Sequence, residues 1–246
     1  MLTAVDVFDR AGLSFLSRWA HVLVGILWIG LLYYFNFVQV PAFAELEAGA
    51  RNNAIDKLAS RALWWFRWAA AATFAFGVLL LILQEHEDDP QLFSGDYFKT
   101  SPGISILTGA LLGITMFLNV WLVIWPNQKK VIANARNVAA GGQADPGAAD
   151  AGRRALLASR QNTIFSFAML LFMIGTSHWF GLFDTSDDRG IYWAITIVLW
   201  LAFELNCLFN RGQNLLTWAY ENHIRAIGEG IVLAGVWYAV WEIVFD

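Results

Sequence analysis

The stretch LSFLSRWAHVLVGILWIGLLYYFNFVQV, residues 13–40, carries one arginine, one histidine and no acidic side chain. A membrane-spanning helix needs roughly 20 predominantly apolar residues rising ~1.5 Å each, and this stretch exceeds that. Five more follow: residues 62–83, 103–125, 162–182, 191–209 and 226–245. The last is the weakest, because Glu229 and Glu242 lie in it and Gly228, Gly230 and Gly235 loosen it; five spans is the fallback. Of the 246 residues, 58% are hydrophobic, 15% are charged and 13 are tryptophan, with a mean hydropathy of +0.50. Soluble domains run nearer ~45–50% apolar and ~25% charged. The chain therefore reads as an all-α polytopic transmembrane helix bundle of about six spans, a single domain over 1–246 in contact with membrane lipid.

The first span is too long for the apolar core of a secretory signal, and no small-residue cleavage site follows it, so a signal anchor fits better. The single cysteine, Cys207, lies in the fifth span. It leaves no disulfide framework and no CxxCH motif for covalent haem.

Loop charge sets the orientation. Side A denotes the face holding the N-terminus. Side B collects Arg51, Lys57, Arg61, Lys129, Lys130, Arg136, Arg153, Arg154, Arg160, Arg211 and Arg225, with Arg67 close by. Side A has Arg10, Arg18, Lys99 and Arg189. Positive charge stays in the cytoplasm, which predicts a multi-pass protein of the bacterial inner membrane with both termini periplasmic. Side A also carries Glu85, Glu87, Asp88, Asp89, Asp96, Asp184, Asp187 and Asp188. An acidic rim of this kind can dock a basic soluble partner such as a periplasmic cytochrome c, and simple solvation of loops accounts for the same residues. No nucleic-acid partner is expected.

Between the spans, Asp6, Asp9 and Arg10 mark a short interfacial lead-in, and Pro41 is expected to end the first helix. Residues 45–61 read as a mixed-charge surface helix. Residues 84–101 form a polar loop with Pro90 and Gly95, in which Phe93, Tyr97 and Phe98 can fold onto the membrane surface. The longest non-membrane stretch, 126–161, has a Gly/Ala-rich middle, 139–152, read as flexible; its flanks 127–138 and 153–161 extend helices three and four. Most tryptophans crowd toward span ends, where interfacial anchoring explains them.

Two of the four histidines, His21 and His178, fall inside spans, where lipid cannot solvate an ionisable side chain. His21 lies roughly 12 Å in from side A at the helical rise, and His178 roughly 6 Å. Residues at i, i+3/i+4 and i+7 share a helix face, which puts Arg18, His21, Gly25 and Trp28 on one stripe. Small residues there admit a neighbouring helix or a flat ring. Haem b needs two such neutral imidazoles, so His21 and His178 are the candidate metal ligands. Arg18 can pair with a propionate, while Gly25, Trp28 and Ser177 line the site. The plain alternative is that each histidine hydrogen-bonds a neighbouring helix.

Asn36, Gln39, Asn119, Asn162, Glu204, Asn206, Asn210 and Glu229 also fall in or beside spans. Interhelical hydrogen bonds of about 0.6 kcal/mol apiece account for most of them. Glu204 stands apart. An unpaired carboxylate at that depth is protonated or matched to a cation, leaving a proton or substrate role open beside a structural bond. His86, in the run Glu85-His86-Glu87-Asp88-Asp89, and His223 read as solvated loop and structural residues.

Three stretches carry a family likeness: Arg18-Trp19-x-His21-x3-Gly25-x2-Trp28-Ile29-Gly30, then Trp125-Pro126-Asn127-Gln128-Lys129-Lys130, then Arg160-Gln161-Asn162-Thr163-x2-Ser166-x6-Met173-x3-Ser177-His178. Together they resemble the membrane domain of the bacterial PuuD-type urate oxidase (urate hydroxylase) family, over residues 15–182 and fading in the last two spans. The resemblance implies a membrane domain that takes electrons from an organic substrate and delivers them to a cytochrome c domain following it. It makes His21 and His178 candidate redox-site residues. Arg18, Asn127, Gln128, Lys129, Arg160, Asn162, Thr163 and Ser177 fall on family positions. With no CxxCH before Asp246, the electron acceptor is expected to be a separate protein.

Three readings follow. The first is a haem b redox protein passing electrons to a cytochrome c or a larger respiratory complex. The second is a urate oxidase acting with a separate cytochrome c. The third is a non-catalytic structural or assembly subunit of a membrane complex.

Overall fold

The computed structural model describes residues 7–83, 97–185 and 188–245. It is an all-helical bundle with no strand among the described residues. Six helices are long and apolar enough to cross a membrane: α1 (Arg10–Glu45), α2 (Ala48–Leu83), α3 (Ser101–Ala139), α4 (Ala148–Gly175), α5 (Arg189–Phe209) and α6 (His223–Phe245). Glu85, His86, Glu87, Asp88, Asp89, Phe93, Asp96 and Asp187, which carry much of the acidic rim read from the sequence, lie outside the described residues.

Caps and turns set the helix limits. Asp9 caps α1 by accepting from Gly12 N at 2.7 Å, and Thr100 caps α3 by accepting from Gly103 N at 3.2 Å. At ~1.5 Å per residue the 36-residue α1 and α2 are roughly 54 Å long, more than the ~40–45 Å of a whole bilayer. Together with α3 they run on past side B. The surface helix expected over 45–61 is thus the first part of α2, after a break at Leu46 and Glu47.

Pro41 does not end the first helix. A π-turn over Tyr34–Gln39 precedes it, closed by Val40 N–H to Phe35 O. Widening the helix there relieves the clash that a proline ring makes with the preceding turn. The same device recurs in α3, where a π-turn over Asn119–Ile124 precedes Pro126. Residues 139–152 are likewise not a loose linker. Only 140–147 leave the helices, and Gly141, at φ +84, takes the left-handed conformation that glycine adopts without strain. Asn134 Oδ1 then accepts from Asp145 N at 2.7 Å.

α4 is the hub. It packs against α3 and α6 along much of its length and also touches α1 and α5; α1 pairs mainly with α2. In α4, 67% of the apolar window is buried, against 22–39% in the other five helices. It is also the least apolar of the six, so the most polar helix sits where protein rather than lipid meets its side chains. Glycines allow the approach. Gly109 and Gly113 of α3 face Met173 and Met169, with a Cβ at Gly109 falling 3.0 Å from Met173 Cγ. Gly230 of α6 lies against Phe167 and Ile164, which makes the glycine-loosened sixth span a packing surface.

The fourth span ends earlier than expected, at Gly175. Phe180 folds back to stack on Phe172 at 4.6 Å and to meet Trp241 at 4.7 Å. Its ring fills the space beside Gly175, and its carbonyl accepts from Ser101 Oγ. Residues 176–182 become a turn and a short 3₁₀ segment rather than span.

Candidate functional site

The stripe read on α1 is a packing face against α2. His21 Nδ1 lies 2.9 Å from Thr73 O, and a Cβ on Gly77 would come within 3.1 Å of the His21 ring. A Cβ on Gly25 would meet Thr73 Cγ2 at 3.8 Å. Trp28 is buried and Arg18 is exposed. His178 and Ser177 are exposed in the turn after α4, where His178 Nδ1 lies 3.1 Å from Ile174 O. The structure therefore groups His21, Gly25 and Trp28, and places Ser177 and His178 on a different element. A carbonyl only accepts, so Nδ1 is the donor in both bonds and each Nε2 keeps its lone pair. Among the described residues no group of three or more His, Cys, Asp or Glu side chains could hold a metal ion.

A second site lies toward side B, and composition alone did not reveal it. α4 carries Ser159, Arg160, Gln161, Asn162, Thr163 and Ser166 within two turns. All but Ser159 are buried, Arg160 at 3% exposure. Counting loop charges puts Arg160 in solvent on side B, whereas the fold puts it inside the protein. Asn36, in the π-turn of α1, donates from Nδ2 to Ser159 Oγ at 2.8 Å, and its carbonyl accepts from Arg160 Nη1 at 3.3 Å. Tyr33 and Ser166 join their hydroxyls at 2.8 Å one turn away. Arg160 has no ion pair among the described residues. Its Nε, together with Asn36 Oδ1, Gln39 Oε1 and Gln161 Nε2, is buried without a hydrogen-bond partner. Leaving such groups unmade costs about 1–3 kcal/mol each, which marks a place shaped for water or a ligand.

Beside Ser159 opens a cavity of about 210 Å³ between α1, α2, α3 and α4. Gln39, Gln128 and Ser159 supply its polar lining, and Phe35 and Phe66, edge to face at 5.3 Å, part of its apolar wall. Gln128 comes from the Pro126–Lys130 motif, and Ser159 directly precedes the motif that begins at Arg160. Two sequence signatures from different helices thus meet at one place. The cavity is smaller than the ~300–1,000 Å³ that holds a drug-sized ligand, so it suits a small molecule. Glutamine amides offer coplanar donors and acceptors, a buried guanidinium attracts an anion, and phenylalanine faces accept a flat ring.

Fold and site together define a polytopic membrane protein with a small, amide-lined cavity backed by a buried cation. The chain belongs to the urate oxidase N-terminal family, which matches residues 90–233. The match takes in α3, α4, α5 and the first half of α6. It reaches further toward the C-terminus than the motif resemblance, which faded after residue 182. No curated protein and no solved structure matches the chain.

Proposed function

We propose that the chain is the substrate-binding membrane component of a urate-oxidase-type redox system. It takes a small planar anion of the urate class into the side-B cavity and passes the electrons to a separate acceptor such as a cytochrome c. The observation that supports this reading is that Gln128, from one motif, and Ser159, directly before the other, line one cavity, with the buried Arg160 the next residue of α4. Gln39 and Gln128 pair with the amide edges of the substrate, Phe35 and Phe66 border its ring, and Arg160 balances its charge through the Asn36–Ser159 link. The substrate is oxidised as electrons leave it, so the acceptor must be supplied. The test is consumption of urate by purified protein in lipid nanodiscs with cytochrome c or ferricyanide present. Turnover that needs the acceptor and is lost in Gln128→Leu and Arg160→Ala supports the reading; no turnover with either acceptor counts against it.

A second reading is haem b held by His21 and His178 toward side A. What supports it is the protonation pattern. Each ring donates Nδ1–H to a backbone carbonyl and keeps Nε2 free, as metal-bound imidazoles do. Arg18, one turn outward from His21 and exposed, is available to a propionate. A bound haem would supply one-electron transfer. The rings engage different elements, so one haem on both requires the turn at 176–179 to lie over α1. A b-type reduced-minus-oxidised spectrum lost in both His21→Ala and His178→Ala supports this ligation, and a spectrum retained in both sinks it.

A further inference from the structure

The Trp125–Lys130 motif divides between two sides of α3. Gln128 lines the cavity. Trp125 and Lys129, one helical turn apart and so on one face, instead meet a cation of α2. Arg67 Cζ lies 3.8 Å over the centre of the Trp125 ring, and Lys129 Nζ lies 5.8 Å from the same centre. Both are within cation–π reach. α2 divides in the same way: Leu63 and Phe66 line the cavity, whereas Trp64, Trp65 and Trp68 are exposed. Trp68 bridges the two helices by packing edge-on against Trp121 at 5.4 Å. Two cations and a cluster of indoles therefore share the outer seam of α2 and α3, and the cavity lies behind it.

Nothing among the described residues answers the charge of Arg67. It makes no hydrogen bond or ion pair there, and its Nη1 is enclosed by protein without an acceptor. Asp56, three turns earlier on α2, is engaged by Arg136. Depth narrows what can answer it. With Leu83, the last residue of α2, at the side-A edge, Arg67 lies roughly 24 Å in at the helical rise. The hydrocarbon core is ~30 Å thick, so Arg67 sits just inside its side-B edge. From there a long side chain reaches the headgroups, and tryptophans gather at that level. The anions present at that level are headgroup phosphates. A guanidinium stacked on an indole keeps its edge for a phosphate, and basic pockets between membrane helices suit anionic headgroups.

We propose that the seam of α2 and α3 binds one anionic phospholipid of the side-B leaflet. Arg67 and Lys129 hold its phosphate, and the exposed indoles of Trp64 and Trp68 cover its glycerol and upper acyl region. The lipid fastens together the two helices that bring Phe66 and Gln128 to the cavity. The site stands whether or not urate is the substrate.

The test uses the whole protein, titrated in detergent with phosphatidylglycerol or phosphatidylcholine and read by native mass spectrometry. The expected result is one phosphatidylglycerol per chain, retained in preference to phosphatidylcholine. One cation near an anionic surface is worth about fivefold in affinity. Arg67→Gln and Lys129→Gln should each weaken retention by about that factor, and Arg154→Gln, on side B but away from the seam, should leave it unchanged. Equal retention of the two lipids, or a preference untouched by both seam variants, overturns the proposal. Displacement of the lipid by millimolar inorganic phosphate assigns the seam to a free anion and overturns it equally. On the unmodified protein, phosphatidylglycerol with a photoreactive acyl chain should label peptides spanning 61–68 and 121–130. Labelling confined to other peptides overturns the proposal even if Arg67→Gln does not fold.

Discussion

Asn36 Nδ2 donates to Ser159 Oγ at 2.8 Å, tying the π-turn of α1 to the hub helix beside the cavity. The carbonyl of Asn36 in turn holds Arg160, the next residue of α4, at 3.3 Å. One asparagine therefore positions both a lining hydroxyl and the buried guanidinium next to it. Interhelical bonds of this kind average about 0.6 kcal/mol in membranes and reach about 1.7. Asn36→Leu should lower the thermal midpoint in detergent only slightly while weakening urate binding clearly. Equal, small effects on both would reduce Asn36 to a fastener.

Arg160 supplies the charge. A hydrogen bond to an ionised group contributes about 1.5–3 kcal/mol, or roughly 10–150-fold in affinity. Arg160→Ala should lose at least the lower figure in urate binding, and Arg160→Lys should recover part of it, because lysine keeps the charge and loses the planar fork. The measurement is equilibrium binding of labelled urate, with circular dichroism confirming that both variants are folded.

Packing on the hub depends on absent side chains. A Cβ at Gly230 would lie 2.5 Å from Phe167 Cδ2 and 3.1 Å from Ile164 O, and one at Gly109 would lie 3.0 Å from Met173 Cγ. Overpacking costs typically about 1–3 kcal/mol. Gly230→Val and Gly109→Val should each lower the thermal midpoint in detergent, whereas Gly235→Val, with nothing within 4 Å of its Cβ position, should leave it unchanged.

Burial pushes the Tyr220 hydroxyl above the ordinary phenol range. The native state then keeps a proton that the unfolded chain releases, so stability is full below about pH 10, the unfolded value. It falls as pH rises beyond that. Tyr220→Phe should lose its bond to Gln161 at all pH values and show a shallower alkaline decline. A decline of unchanged slope in the variant would assign the effect to another group.

Much of the fold was legible in the sequence because apolar length is a strong signal. All six spans were found, along with the helical extensions flanking the 126–161 stretch. What escaped depended on tertiary contacts. Pro41 read as a stop because local rules for proline do not foresee a widened turn before it. α4 read as reaching residue 182 because the run through Phe180 and Leu182 stays apolar, whereas Phe180 is spent on folding back over Gly175. His21 and His178 were legible as histidines inside apolar runs, while the backbone carbonyl that each ring meets required the fold. Arg160 was counted as loop charge because its burial comes from the fold, which sets the Asn36 carbonyl of α1 against it. Gln128 was visible in a motif, but its meeting with Gln39 and Ser159 required the fold.

The most direct test is equilibrium binding of radiolabelled urate to the purified protein in lipid nanodiscs, beside Gln128→Leu and Arg160→Ala. Saturable binding at one site per chain, lost or sharply weakened in both variants, is the predicted result. A folded parent protein without saturable binding, or full binding retained in both variants, would contradict the assignment of the side-B cavity.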